Sequence, residues 1–184
     1  MKGTVAPMAT DNLMAVSVIG DDRPGIVSGV TRVLFEAGCN LEDVSSTILR
    51  GHFSMMLIVE GPGGMEAEAL EERMRELATE LGLVVAVRPV APAPLHIAPP
   101  THMVSVYGAD KPGIVYRVAG SLAERGVNIT DLTSRVIGPE GAPVYALMLE
   151  VVATDETRLR GDLRAVSEEL GIDVSVRALE VDVL

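Results

Sequence analysis

The sequence predicts an α+β protein built from two ferredoxin-like βαββαβ modules, each an antiparallel sheet with two helices on one face. Two observations carry this. The 184-residue chain repeats itself at a fixed spacing. Within each copy, apolar positions switch between strand and helix periods in the order β-α-β-β-α-β. Composition agrees, because 48% hydrophobic and 22% charged residues suit packed cores rather than disorder.

The repeat is visible by eye. VSVIGDDRPGIV from Val16 returns as VSVYGADKPGIV from Val104. Pro24 maps to Pro112, an offset of 112 − 24 = 88. The offset continues ungapped through Val30/Val118, Leu34/Leu122, Gly38/Gly126, Asn40/Asn128, Asp43/Asp131 and Ser46/Ser134. The second copy then gains residues, IGPEGAP against RGH, and register recovers at LATELGLVVAVR and AVSEELGIDVSVR. The expected domains are residues 12–90 and 101–184, joined by a linker over 91–100. Pro92, Pro94, Pro99 and Pro100 make that linker stiff and extended. Its reach of about 3.3–3.6 Å per residue suits modules lying side by side. A homodimer is expected in addition, because small modules have a high surface-to-volume ratio.

Each element follows in order. Met14–Ile19 is apolar and β-branched and reads as a strand ended by Gly20. A helix opens at Pro24, with Ile26, Val27, Val30, Leu34 and Ala37 on one face and Gly38 as its stop. Cys39–Arg50 and Phe53–Glu60 form a hairpin across the short RGH turn. Met55, Leu57 and Val59 alternate with Met56, Ile58 and Glu60, so the second of these strands reads as buried on both faces. Leu70, Met74, Leu77 and Leu81 mark the second helix, as do Leu159, Leu163, Val166 and Leu170 in the other copy. Gly82 and Gly171 end those helices in the left-handed conformation. Leu83–Val90 closes the module.

Several function classes are disfavoured. The charge is 15 − 26 = −11, which repels phosphate backbones and argues against direct nucleic-acid binding. With two Phe, three Tyr and no Trp, base stacking on the sheet is not expected. The single cysteine, Cys39, forms no intramolecular disulfide; its counterpart Val127 marks it as a small core hydrophobe. His52, His96 and His102 lack counterparts in the repeat, and no metal spacing or activated nucleophile is present. No cofactor, metal or catalytic residue is therefore expected, and the chain is read as not an enzyme. The opening residues lack a signal-peptide core and no apolar run is long enough to span a bilayer, so a cytoplasmic location is expected, with no membrane contact.

The strand-to-helix loops, GDDRPGIV and GADKPGIV, hold the sharpest chemistry. Gly20 suits a tight turn, Pro24 a first helical turn, and Gly25 leaves helix-start amides bare for a carboxylate. Against this, Asp22 could accept those amides itself, giving a self-capped turn with no ligand.

These loops, with GCNLEDVSS and GVNITDLTS after them, resemble the opening loop and second strand of ACT domains. The resemblance covers nearly the whole chain, twice. It implies a small-molecule sensor, usually of amino acids, and a free-standing pair is similar to the glycine cleavage system transcriptional repressor family. That implies an accessory regulator that binds an amino acid such as glycine and acts through a protein partner, a transcription factor, with no DNA contact of its own. By the same resemblance, the ligand sits between two modules. Its contacts would be Asp22, Gly25, Ile26 and Asn40 in the first copy, and Asp110, Gly113, Ile114 and Asn128 in the second. The alternative for Asn40 and Asn128 is a left-handed turn residue. The alternative for the whole protein is an assembly module without ligand.

Overall fold

The computed structural model describes residues 12–92, 98–139, 141 and 143–179. The expectations for the first eleven residues, for the middle of the linker including Pro94 and His96, and for residues 180–184 lie outside the described residues. The chain divides into two compact units, one up to residue 94 and one from residue 95.

The first unit runs β1 (Leu13–Asp21), α1 (Ile26–Glu36), β2 (Asn40–Leu49), β3 (His52–Glu60), α2 (Ala67–Leu81) and β4 (Val84–Pro89). The second repeats it as β5 (His102–Gly108), α3 (Ile114–Ala123), β6 (Asn128–Ile137), β7 (Val144–Val152), α4 (Glu156–Leu170) and β8 (Asp173–Ala178). Each unit forms one four-stranded sheet, ordered β2-β3-β1-β4 and β6-β7-β5-β8, with every pairing antiparallel. This is the ferredoxin-like topology read from the repeat.

Period-2 and period-3.6 patterns meet in the two cores. Val16, Val18, Leu57 and Val59 point from the first sheet to Ile26, Val30 and Leu34 of α1 and Leu70, Met74 and Leu77 of α2. The second unit gathers Val104, Val106, Leu147, Leu149 and Val151 against Ile114, Val118, Leu122, Leu159 and Leu163. Burying each such side chain is worth about 1.5–3 kcal/mol.

Both first helices end in the same motif. Gly38 (φ 76°) and Gly126 (φ 67°) follow the last helical turns in the left-handed region. The Gly38 amide donates to Phe35 and the Cys39 amide to Leu34, and Gly126 and Val127 repeat this with Ala123 and Leu122. These paired bonds satisfy carbonyls a helix end would otherwise leave open. Gly82 and Gly171 cap α2 and α4 in the left-handed region, as the sequence indicated. The β2–β3 hairpin closes over Arg50 (φ 52°) and Gly51 (φ 84°), the two positive angles of a tight two-residue turn.

Three expectations are corrected. β3 is buried on one face only: Met55, Leu57 and Val59 are core, but Met56 is 52% exposed, because both helices cover the same side of the sheet. Pro24 does not lie in the helix; it sits in a turn before Gly25, and the helix begins at Ile26. Gly20 is needed for close packing rather than for a turn. A Cβ there would lie 2.6 Å from Leu83 Cδ2 and 3.2 Å from the Gly82 carbonyl oxygen.

The equivalent Gly108 meets a stiffer neighbour, with Ile172 Cγ2 at 2.7 Å from a built Cβ. We expect Gly108→Ala to destabilise the second unit by about 1–3 kcal/mol, the cost of overpacking a formed core. An unchanged denaturant midpoint for that unit would refute the close-approach account.

Candidate functional site

The strand-to-helix loops leave the ends of the central strands β1 and β5. Gly25 (φ 101°) and Gly113 (φ 94°) are the N-caps of α1 and α3, and neither helix start has a side-chain cap. By contrast, the Arg158 amide at the start of α4 donates to Asp155 Oδ1 at 2.9 Å. A helix start carries amides with no partner inside the helix, and the positive end of its dipole favours an anion. Asp22 does not close its own loop as a cap; its amide instead donates to the Gly51 carbonyl of the hairpin turn at 2.8 Å. The self-capped reading is thereby corrected. No side chain caps the start of α1 or of α3.

The other nominated residues fall into two groups. Asp22, Asp110, Gly25 and Gly113 are exposed. Ile26 and Ile114 are 1% and 2% exposed, so their side chains belong to the core and only their backbone faces the loop. Asn40 and Asn128 are exposed and open the edge strands β2 and β6. Neither has a positive φ, so the left-handed turn reading does not hold for them. Each precedes a bulge, between Leu41 and Asp43 and between Ile129 and Asp131. Asn40 Nδ2 donates to Glu42, and the Val44 amide donates to Asp43 Oδ1, so both acidic residues serve the bulge locally.

Strand register separates loop from asparagine within a unit. Asn40 pairs with Glu60, which pairs with Leu13 at the start of β1; Leu49 pairs with His52, which pairs with Asp21 at its end. The loop and its own asparagine therefore lie at opposite ends of a ten-residue strand, about 30 Å apart at ~3.3 Å per residue. One small ligand cannot touch both within one unit. The clefts between the paired helices of each unit hold none of the nominated residues. One in the second unit, about 290 Å³, runs between α3 and α4 and is bridged by the Arg125–Asp162 pair at 2.9 Å. One of about 280 Å³ in the first unit is lined by charged residues of α1 and α2.

Cys39 is half-buried against the first core, and its burial pushes the thiol pKa up against an opposing effect of Arg73. That fits a packing role. Among the described residues, no group of three or more His, Cys, Asp or Glu is arranged to hold a metal ion, and no helix is long and apolar enough to cross a membrane. Two contacts were missed from sequence. Lys111 Nζ donates to the Leu170 carbonyl at 3.2 Å, and the Arg23 guanidinium lies 3.5 Å from where a Cβ of Gly82 would stand. A signal was available: the third residue after the strand glycine is a cation in both copies.

Two uncapped, glycine-opened helix starts, each on a βαββαβ unit, define a tandem ACT protein, and the chain belongs to the ACT domain family, whose model matches residues 12–88 and 101–177. The ACT domain is a regulatory domain. The chain is 24% identical over 177 residues to the glycine cleavage system transcriptional repressor of Escherichia coli, covering 94% of this chain and 93% of that one. It is 42% identical over 74 residues to a UPF0237 protein of Methanopyrus kandleri, covering 40% of this chain and 82% of that one. Among solved structures, an unknown protein from Galdieria sulphuraria matches with TM-score 0.74 and 26% identity over 92% of this chain and 99% of that one. A proposed glycine cleavage system transcriptional repressor matches with TM-score 0.66 and 18% identity over 92% and 98%, a likeness of fold alone.

Gly25 and Gly113 have nothing within 4 Å of a built Cβ, so their requirement is conformational and not one of space. Replacing either with alanine is expected to cost about 1–2 kcal/mol, the price of a left-handed non-glycine residue. Unfolding of the single variants, compared with a Gly63→Ala control in open space without positive φ, measures this; equal stability of all three would contradict it.

Proposed function

We propose that this ACT-family regulatory protein senses a free amino acid, glycine or a near relative, and works in the cytoplasm as an accessory transcriptional regulator through protein partners. The observation that carries the reading is the repeated loop in which a left-handed glycine opens a helix with no side-chain cap. Such a start offers several amides to a carboxylate. The exposed Asp22 or Asp110 carboxylate and the Asn40 or Asn128 carbonyl would suit an ammonium. Because loop and asparagine lie far apart within a unit, the loop of one chain would work with the asparagine of a second copy. The alignment along nearly the full length of a protein named a transcriptional repressor supports the regulatory role. The acidic charge of −11 supports acting through protein rather than on DNA.

A second reading, assembly without ligand, is favoured by one feature. Edge strands β2 and β6 present an apolar stripe, Leu41, Val44 and Ile48 at 42–56% exposure, echoed by Leu132 and Val136. The two readings are compatible if pairing creates the site.

Thermal unfolding against each of the twenty amino acids at millimolar concentration separates them. A binding amino acid raises the melting temperature by mass action. Asn40→Ala with Asn128→Ala should abolish that rise and leave the unliganded stability within about 0.5 kcal/mol, as for exposed sites. No rise with any amino acid favours assembly alone. Association is tested by light scattering across a dilution series: a homodimer is expected, and a mass of 19.4 kDa at micromolar concentration would exclude it.

A further inference from the structure

Each loop carries one cation at the same place, Arg23 in the first copy and Lys111 in the second. A cation beside helix-start amides invites the view that it grips the ligand carboxylate. Its geometry says otherwise. Lys111 Nζ donates at 3.2 Å to the carbonyl of Leu170, the last residue of α4. The Arg23 Nη2 atom stands 3.5 Å from the Cβ position of Gly82, the left-handed cap that ends α2. The hydrogen bond is made in the second unit, and in the first the guanidinium stands beside the corresponding helix end. The C-terminal end of a helix has carbonyls without partners and the negative end of the dipole, so it is a fitting seat for a cation. The same seat receives the loop's first glycine. Gly20 and Gly108 abut Leu83 and Ile172, the residues that follow Gly82 and Gly171.

We propose that Arg23 and Lys111 are positioning residues that pin each strand-to-helix loop onto the C-terminal end of the module's second helix, holding the helix-start amides in place. The cation is engaged with the protein, so a bound carboxylate meets amides held from behind. The turns at Gly82 and Gly171 become part of the site's support, and occupancy of the loop is coupled to them in both directions. For its ligand part this rests on the sensing reading above.

The test uses the full chain, with Lys111→Met, which keeps length and removes charge, and Lys111→Arg, the side chain of the first copy. Exchange of the Arg117 amide, which donates to the Gly113 carbonyl at 2.9 Å and closes the first turn of α3, should quicken about fivefold or more in Lys111→Met, the low end of coupling between linked sites. It should return towards wild type in Lys111→Arg, with exchange in β5 and β7 unmoved. Glycine affinity at that loop, read by titration calorimetry, should follow the same order. Unchanged Arg117 exchange in Lys111→Met, no recovery in Lys111→Arg, or a uniform rise across the whole second unit would overturn the proposal. If none of the twenty amino acids binds the wild-type chain, the sensing reading falls, and the exchange comparison still decides the docking.

Discussion

The central strand of each unit is hydrogen-bonded along both edges, β1 by β3 and β4 and β5 by β7 and β8, and it carries fully buried valines on the face beneath the helices. Its backbone groups are paired on both sides and its side chains covered, so it is firmly held, as is the other inner strand, β3 or β7. The loop that leaves its end inherits that firmness. The first helix starts where the strand's apolar alternation stops, and its first residue, Ile26 or Ile114, is already core. A helix anchored by its first side chain directs its amides in a fixed direction, which a binding site needs.

Around that anchor, the loop meets three demands by three means. Glycine at 20 and 108 admits the turn after the second helix at a separation that a Cβ would obstruct. Glycine at 25 and 113 takes a left-handed conformation with open space around it. The cation at 23 and 111 reaches back to the same turn that the first glycine abuts. A short motif that looks uniform in sequence thus divides into packing, backbone conformation and electrostatics.

Comparing the two copies shows what the fold can vary. Met14 in the first core corresponds to His102 in the second, which is 8% exposed, accepts or donates at 2.8 Å with Thr101 Oγ1 and faces Glu156 at 3.7 Å. Glu156 stands where the first unit has Ala67, and the Arg160 hydrogen bond holds its carboxyl below the usual range. The substitutions are made together, a polar pair for an apolar one, as expected where a buried polar group must be partnered. The helix-ending glycines, the bulges after Asn40 and Asn128, and the core valines do not vary in kind, because each meets a backbone or burial requirement that the topology imposes on both units.

Fold class was legible in the residues because periodicity and glycine placement are local signals: helices and strands bury one face each, and a left-handed stop after a helix favours one residue type. The repeat doubled those signals. The sequence by itself also marked the loop and the asparagine as the chemically unusual positions, and its charge set the kind of partner it disfavours. Only the tertiary structure decided how those positions are disposed. It set the loop and its asparagine at opposite ends of one sheet, because antiparallel register is a pairing between strands and not a property of either. It turned the second face of β3 outward, because both helices cross on the same side. It also sent Arg23 and Lys111 to a helix end about sixty residues away in sequence, 59 for Lys111 and Leu170. That contact depends on which element ends the fold brings together, and the recurring cation marks the position without naming its partner.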